Sequence, residues 1–232
     1  MLRELCLMVL HRKLYLAPIK NPQRVIDLAT GTGLWPIDFA DEHREAEERL
    51  LSKPLQMDRS RDLSACSRSV KPGGWVKFQD WGLHIISPDG SLDGTGLQQY
   101  HDEVNSAFEE AGYEIRPGVN VEQWFKDAGF VNIHVEKFVI SYGVWSKDPH
   151  LKKLGAWAQT GAEANSFEGI ALALLTRYKQ WTKEEVIPLA SKARADSRKR
   201  DVHALFNLYV VYGQRPRNQD GKWDGEHSFQ QL

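Results

Sequence analysis

The sequence predicts an α/β fold in which a glycine turn follows the opening strand, and three stretches predict it. Val25-Ile26-Asp27-Leu28-Ala29-Thr30-Gly31-Thr32-Gly33-Leu34 is a short apolar strand that ends in an acid and breaks into glycines just before a helix. Lys71-Pro72-Gly73-Gly74-Trp75-Val76-Lys77-Phe78-Gln79 is a turn leading into a second apolar strand, and Tyr209-Val210-Val211-Tyr212-Gly213 is a closing one. Glycine permits φ > 0 and close approach of a ligand, and the helix that follows offers unpaired N–H groups to polar ligand atoms. Pro36 suits the first turn of that helix. The first stretch therefore reads as a nucleotide-cofactor turn.

Its pattern, Asp-x-Ala-x-Gly-x-Gly, is not the Gly-x-Gly-x-x-Gly of dinucleotide folds. A carboxylate beside the turn suits a cofactor with a cationic amino group better than it suits a pyrophosphate. With Leu16-Ala17-Pro18-Ile19, Arg24 to Trp35 and Ile37-Asp38-Phe39-Ala40-Asp41-Glu42, the chain resembles the LaeA-like fungal S-adenosylmethionine-dependent methyltransferases of the class I superfamily. The Lys-Pro-Gly-Gly stretch looks like the turn and strand in the middle of that family's sheet, and Tyr209 to Gly213 looks like its closing strand. The likeness covers most of residues 5 to 216. It implies a class I methyltransferase (Rossmann-like) sheet, S-adenosylmethionine as cofactor, and Asp27, Thr30, Gly31 and Gly33 as the residues that hold it. On the residues alone, the turn also fits a βα connection that binds nothing.

Only 38 residues separate Gly33 from Pro72. The resembling sheet needs three more strands with crossovers there, roughly 50 residues at the least. The sheet is thus expected to be truncated between the first strand and the Lys-Pro-Gly-Gly strand. Asp41 to Arg49 reads as continuing a helix and Ser60 to Val70 as the helix leading into the turn, so the first strand is expected to pair directly with Trp75 to Asp80. The acid that accepts the ribose hydroxyls belongs to the missing part. Pro54 to Asp58 offers a strand stub with Asp58 lying 25 residues past Gly33, in the 20-odd range of a ribose acid, against the plainer reading of Asp58 as a solvated loop acid. Ala29 stands where the motif has a glycine. Lys77 stands where the family carries an acid, and an outward-facing strand position accepts either charge.

The second half predicts a helix from about Leu97, with Leu97, Tyr100, Val104, Phe108 and Ala111 on one stripe and Gly112 ending it. Asn120 and Gln123 read as a capping box for a short helix stopping at Gly129. Phe130 to Ile140 reads as a strand, with Val131, Ile133 and Val135 alternating against Asn132, His134 and Glu136. Residues of about 143–200 are helical: Glu168 to Trp181 is strongly apolar, and Thr182 with Glu185 caps a further helix. By the resemblance this insertion is a helical lid over the methyl-acceptor site, where Trp145, Trp157 and Trp181 either line an apolar pocket or fill the core. Gln79 and Asp80, at the carboxyl end of the middle strand, are the substrate-side candidates. Methyl transfer from a sulfonium is a direct displacement that positioning can largely drive, so no catalytic residue is assigned.

With 232 residues, 41% hydrophobic and 26% charged, the chain is long enough for one methyltransferase-like domain over residues 1–216, followed by a polar tail at 217–232. A net charge of −1 gives no basis for nucleic acid or an anionic membrane as a partner. Lys192, Arg194, Arg198, Lys199 and Arg200 read as the wet face of a helix. Cys6 and Cys66 make neither a disulfide framework nor a metal site, which fits a reducing compartment, cytoplasmic or nuclear by the resemblance. The apolar run Leu5 to Leu10 is shorter than a signal-peptide core or a membrane span. The expected function is methyl transfer to a small-molecule or protein acceptor, in secondary metabolism or its regulation. The alternatives are a catalytically inactive methyltransferase-like binding or scaffold protein, or an incompletely read gene.

Overall fold

A computed structural model describes residues 2–28, 32–51, 59–164 and 167–217, and they form an α/β arrangement. The elements are α1 (Leu2–Val9), β1 (Arg24–Leu28), α2 (Leu34–Glu42), β2 (Glu47–Leu51), α3 (Arg59–Ser69), β3 (Trp75–Ile86), α4 (Gly96–Glu110), α5 (Pro117–Asp127), β4 (Val131–Ser141), α6 (Pro149–Ala164), α7 (Phe167–Tyr178), α8 (Lys183–Ser197) and β5 (Leu205–Gln214). One sheet is β1-β2 and the other has the order β3-β5-β4. The chain falls into two compact units. The first takes the chain up to Val9, Asp80–Gly118 and Lys137–Tyr209, and the second takes Leu10–Gln79, Val119–Glu136 and the chain from Val210.

In the second unit, β1 leaves the sheet plane through α2 and returns as β2, paired in parallel with Arg24 opposite Glu47 and Leu28 opposite Leu51. This corrects two expectations. The segment Asp41 to Arg49 does not stay helical, because α2 stops at Glu42, where the His43 N–H caps onto the Phe39 carbonyl. The opening strand pairs with β2 and not with Trp75 to Asp80. An exposed ion pair, Arg24 to Glu47 at 3.2 Å, sits at the start of the ladder. The proposed stub Pro54 to Asp58 and the tail beyond residue 217 lie outside the described residues.

The Lys-Pro-Gly-Gly turn behaves as its residues require. Gly73 sits at φ 78, and a Cβ on Gly74 would come within 2.5 Å of the Val70 side chain. Gly73 N–H donates to the Arg215 carbonyl (2.9 Å) and Arg215 N–H to the Gly74 carbonyl (2.8 Å), which sets β3 and β5 antiparallel. The Arg215 guanidinium also donates to the carbonyls of Arg68 and Val70, closing the carboxyl end of α3. The core here gathers Leu63, Val121, Phe125, Phe130 and Val211. Helix α5 begins at Pro117, so Asn120 lies inside it and not at its cap; Gly129, at φ 81, ends it as expected.

In the first unit, α4 starts on Thr95, whose hydroxyl accepts from Gln98 N–H, and buries Leu97, Tyr100 and Val104 as the stripe predicts. It packs on α7 and α8 around Phe167, Leu175, Val186 and Ala190. The Glu185 carboxylate accepts from both the N–H and the hydroxyl of Thr182 at the start of α8. The basic cluster only partly lies on a helix face: Arg194 on α8 is 3.6 Å from Glu168, and past the end of α8 Arg198 is 2.9 Å from Glu163 and Lys199 2.7 Å from Asp196. Tyr142 N–H donates to the Ala204 carbonyl (2.8 Å), so β4 ends where β5 begins. On β4 the alternation fails to bury its apolar set, since Val131, Val135 and Val139 remain 38–43% exposed.

Asp196 is the buried charge of this unit. Its carboxylate accepts the Gly96 N–H at 2.5 Å and pairs with Lys199. Burial works against its ionisation, but the bonds from Lys199 and Gly96 override that and hold the carboxyl below its ordinary value. A lowered folded value adds stability above the unfolded carboxyl range of about 3.9 and loses it as pH falls through the folded value. Asp196→Asn is therefore expected to cost about 2 kcal/mol in urea unfolding at pH 7 and distinctly less at pH 3. An equal cost at both pH values contradicts the ionic role.

Candidate functional site

The glycine turn lies between β1 and α2. Asp27 is half-buried one residue before the end of β1, and Gly33 is the N-cap of α2. Gly33 has φ 73 and ψ 9, a left-handed conformation that favours glycine, and a Cβ built there meets nothing within 4 Å. As the N-cap, Gly33 offers no side chain to the first-turn N–H groups of α2. Thr30 and Gly31 lie outside the described residues. Within this unit Trp35 Nε1 donates to the Leu14 carbonyl (3.0 Å), and Trp35, Phe39, Tyr15 and His43 stack in a row that holds α2 in place.

Lys77 has a local use. Its ammonium donates to the same Leu14 carbonyl at 3.0 Å and stands 5.8 Å from the centre of the Trp35 ring. The position expected to face outward instead ties β3 to the segment that supports α2.

Gln79 and Asp80 are not at the carboxyl end of their strand, because β3 runs on to Ile86. Both are half-buried, and the Asp80 carboxylate accepts from Trp81 N–H at 2.8 Å.

The first unit contains a cavity of about 210 Å³ along that extension of β3, walled by Trp81, Tyr142, Trp157 and Phe206 with His101 and Gly161. Its lining is overwhelmingly apolar and, among the described residues, contains no Asp, Glu, Lys or Arg. Of the three tryptophans expected there, Trp157 lines it. Trp145 instead donates to the Ala204 carbonyl (3.1 Å) and packs on His203, and Trp181 packs on the helical core.

His101 was not visible as a functional residue from the sequence, although its spacing of four from Leu97 and three from Val104 places it on the apolar face of α4. Burial pushes its imidazole down to about 4, against an opposing hydrogen bond to the Leu83 backbone, so the ring is neutral at pH 7. Leu83 N–H donates to the Ile115 carbonyl (3.1 Å), and the Leu83 carbonyl accepts from Asn105 Nδ2 (3.2 Å). Nε2 of His101 is sealed and has no hydrogen-bond partner among the described residues. Burial also pushes the phenols of Tyr100 and Tyr142 well above their ordinary value.

Among the described residues there is no cluster of His, Cys, Asp and Glu able to hold a metal, and no helix is long and apolar enough to cross a membrane. Cys6 and Cys66 are half-buried and form no disulfide.

No protein-family model matches the chain. Individual relatives do. Methyltransferase pytC of Aspergillus terreus is 27% identical, over 93% of this chain and 79% of that protein. Secondary metabolism regulator LAE1 of Cochliobolus heterostrophus is 24% identical, over 88% of this chain and 82% of the relative. Protein-methionine methyltransferase laeA of Emericella nidulans is 26% identical, over 63% of this chain and 39% of the relative.

Proposed function

We propose, from the premise that the chain belongs to the LaeA-like fungal methyltransferases, that the β1–α2 turn holds the amino-acid end of S-adenosylmethionine for transfer of its methyl group. The observation that carries this reading is Gly33, left-handed at the start of α2, where among the described residues nothing lies within 4 Å of an added Cβ. The first-turn N–H groups of α2 suit the cofactor's carboxylate, and Asp27 suits its ammonium. When bound, the cofactor supplies a methyl group already attached to its leaving group. The chain's part is to orient the two reactants, with Gln79 and Asp80 proposed on the acceptor side.

The fit is to one half of the cofactor. Strand β2 closes on Leu50-Leu51 with no acid at its end, and Asp58, the candidate for the ribose hydroxyls, lies outside the described residues. We read this as a class I sheet shortened after β2. Lengths support it: the match to pytC runs over 260 positions, 28 more than the whole 232-residue chain. The helices α6 to α8 are proposed as the lid. The acceptor is proposed to be a small molecule or a protein met in the cytoplasm or nucleus, in secondary metabolism or its regulation, without nucleic acid or membrane.

Calorimetric titration with S-adenosylhomocysteine tests the reading. With the nucleoside side reduced, the dissociation constant is expected between about 10 µM and 1 mM. No detectable heat at millimolar ligand removes the enzyme and leaves a binding or scaffold protein.

A further inference from the structure

The cavity of the first unit has walls too specific for a packing defect. Rings surround it: Trp81 and Tyr142 lie 5.6 and 5.9 Å from Phe206, and Tyr100 lies edge-on to Phe167 at 5.1 Å. Tyr100 spends its hydroxyl on the Phe167 carbonyl (3.0 Å), so that polar tip is tied down within the protein. Ile170 lines the cavity and is 40% exposed, so the space reaches the surface. Its volume of about 210 Å³ equals about seven waters of liquid, and apolar cavities of about 150 Å³ elsewhere stay dry and take up benzene.

We propose that this cavity is a binding site for an uncharged, planar aromatic compound of two or three fused rings. The ring-lined walls offer stacked and edge-on contacts to a flat π-system, each worth more than area alone. An ion is excluded because, among the described residues, the lining holds no group of either charge to offset its lost hydration. A flexible alkyl chain loses rotamer freedom on entry that a rigid ring system does not.

Gly161 makes the site testable. It lines the cavity, sits in α6, and a Cβ there would meet nothing within 4 Å. Gly161→Leu therefore fills the space while improving helix propensity, so lost binding is not lost folding.

The test is calorimetric titration of the full chain at pH 7 with 2-naphthol, neutral at that pH, and with 2-naphthoate, an anion. The wild type is expected to bind 2-naphthol at least tenfold more tightly than 2-naphthoate. Gly161→Leu is expected to weaken 2-naphthol at least tenfold with unchanged circular dichroism and unfolding temperature. The proposal is overturned if 2-naphthol gives no heat at millimolar concentration, if 2-naphthoate binds equally well, or if Gly161→Leu binds as the wild type does. No cofactor is present in either titration, so this result and the S-adenosylhomocysteine result stand or fall separately.

Discussion

Gly155→Ala is expected to destabilise the helical unit by about 3 kcal/mol or more, and to lower the unfolding temperature by about 6–12 °C. Gly155 sits where α6 crosses the end of β4, and an added Cβ would lie 1.8 Å from the Gly143 carbonyl oxygen and 2.5 Å from Ser141 Oγ. Neither neighbour can step aside cheaply. Gly143 is backbone held at φ 89, and Ser141 Oγ donates to the Leu151 carbonyl at 2.5 Å. The helix must shift instead, and with it Leu154 and Ala158, both buried, and Trp157 in the cavity wall. Overpacking against backbone is among the few mechanisms that reach this magnitude in a single substitution. An unfolding temperature within about 2 °C of wild type contradicts this packing.

Gly33→Ala is expected to weaken S-adenosylhomocysteine at least tenfold while leaving the protein folded. A non-glycine residue at φ 73 costs about 1–2 kcal/mol, and because the new Cβ meets nothing, that cost is confined to the turn. The turn relaxes, and the α2 N–H groups lose their aim. Gly129→Ala is the control. It has φ 81 and equally open surroundings at the end of α5 in the same unit, so it carries the same backbone cost with no ligand nearby. Equal loss of binding in the two variants, or none in either, contradicts a ligand role for the turn.

Much of this arrangement was legible wherever one physical signal dominated. The apolar runs of β1, β3 and β5, the Leu97 stripe of α4, and the Thr182–Glu185 pair all point to one local structure. Strand β2 escaped because Glu47-Glu48-Arg49 carries the charges of an exposed helix, while its pairing with Arg24 to Leu28 is a tertiary contact that no local preference encodes. The sequence places the end of β3 at Asp80, ahead of a stretch rich in Gly, Ser and Asp. The strand continues because Gly82 passes closely by Tyr209, whose ring would lie 3.2 Å from a Cβ there. Lys77 looked like a free choice of charge since its partner, the Leu14 carbonyl, is 63 residues away. The cavity was half visible: Trp157 was foreseen, but Trp81, Tyr142 and Phe206 come from three separate strands or their ends.

Hydrogen exchange of the full chain with and without S-adenosylhomocysteine tests the central claim most directly, because it reads where the ligand sits. Slowed exchange is predicted in residues 24–42, strongest in the first turn of α2 after Gly33, and absent in Gly33→Ala. Unchanged exchange there at saturating ligand, or protection confined to other parts of the chain, contradicts the assignment of this turn as the cofactor site.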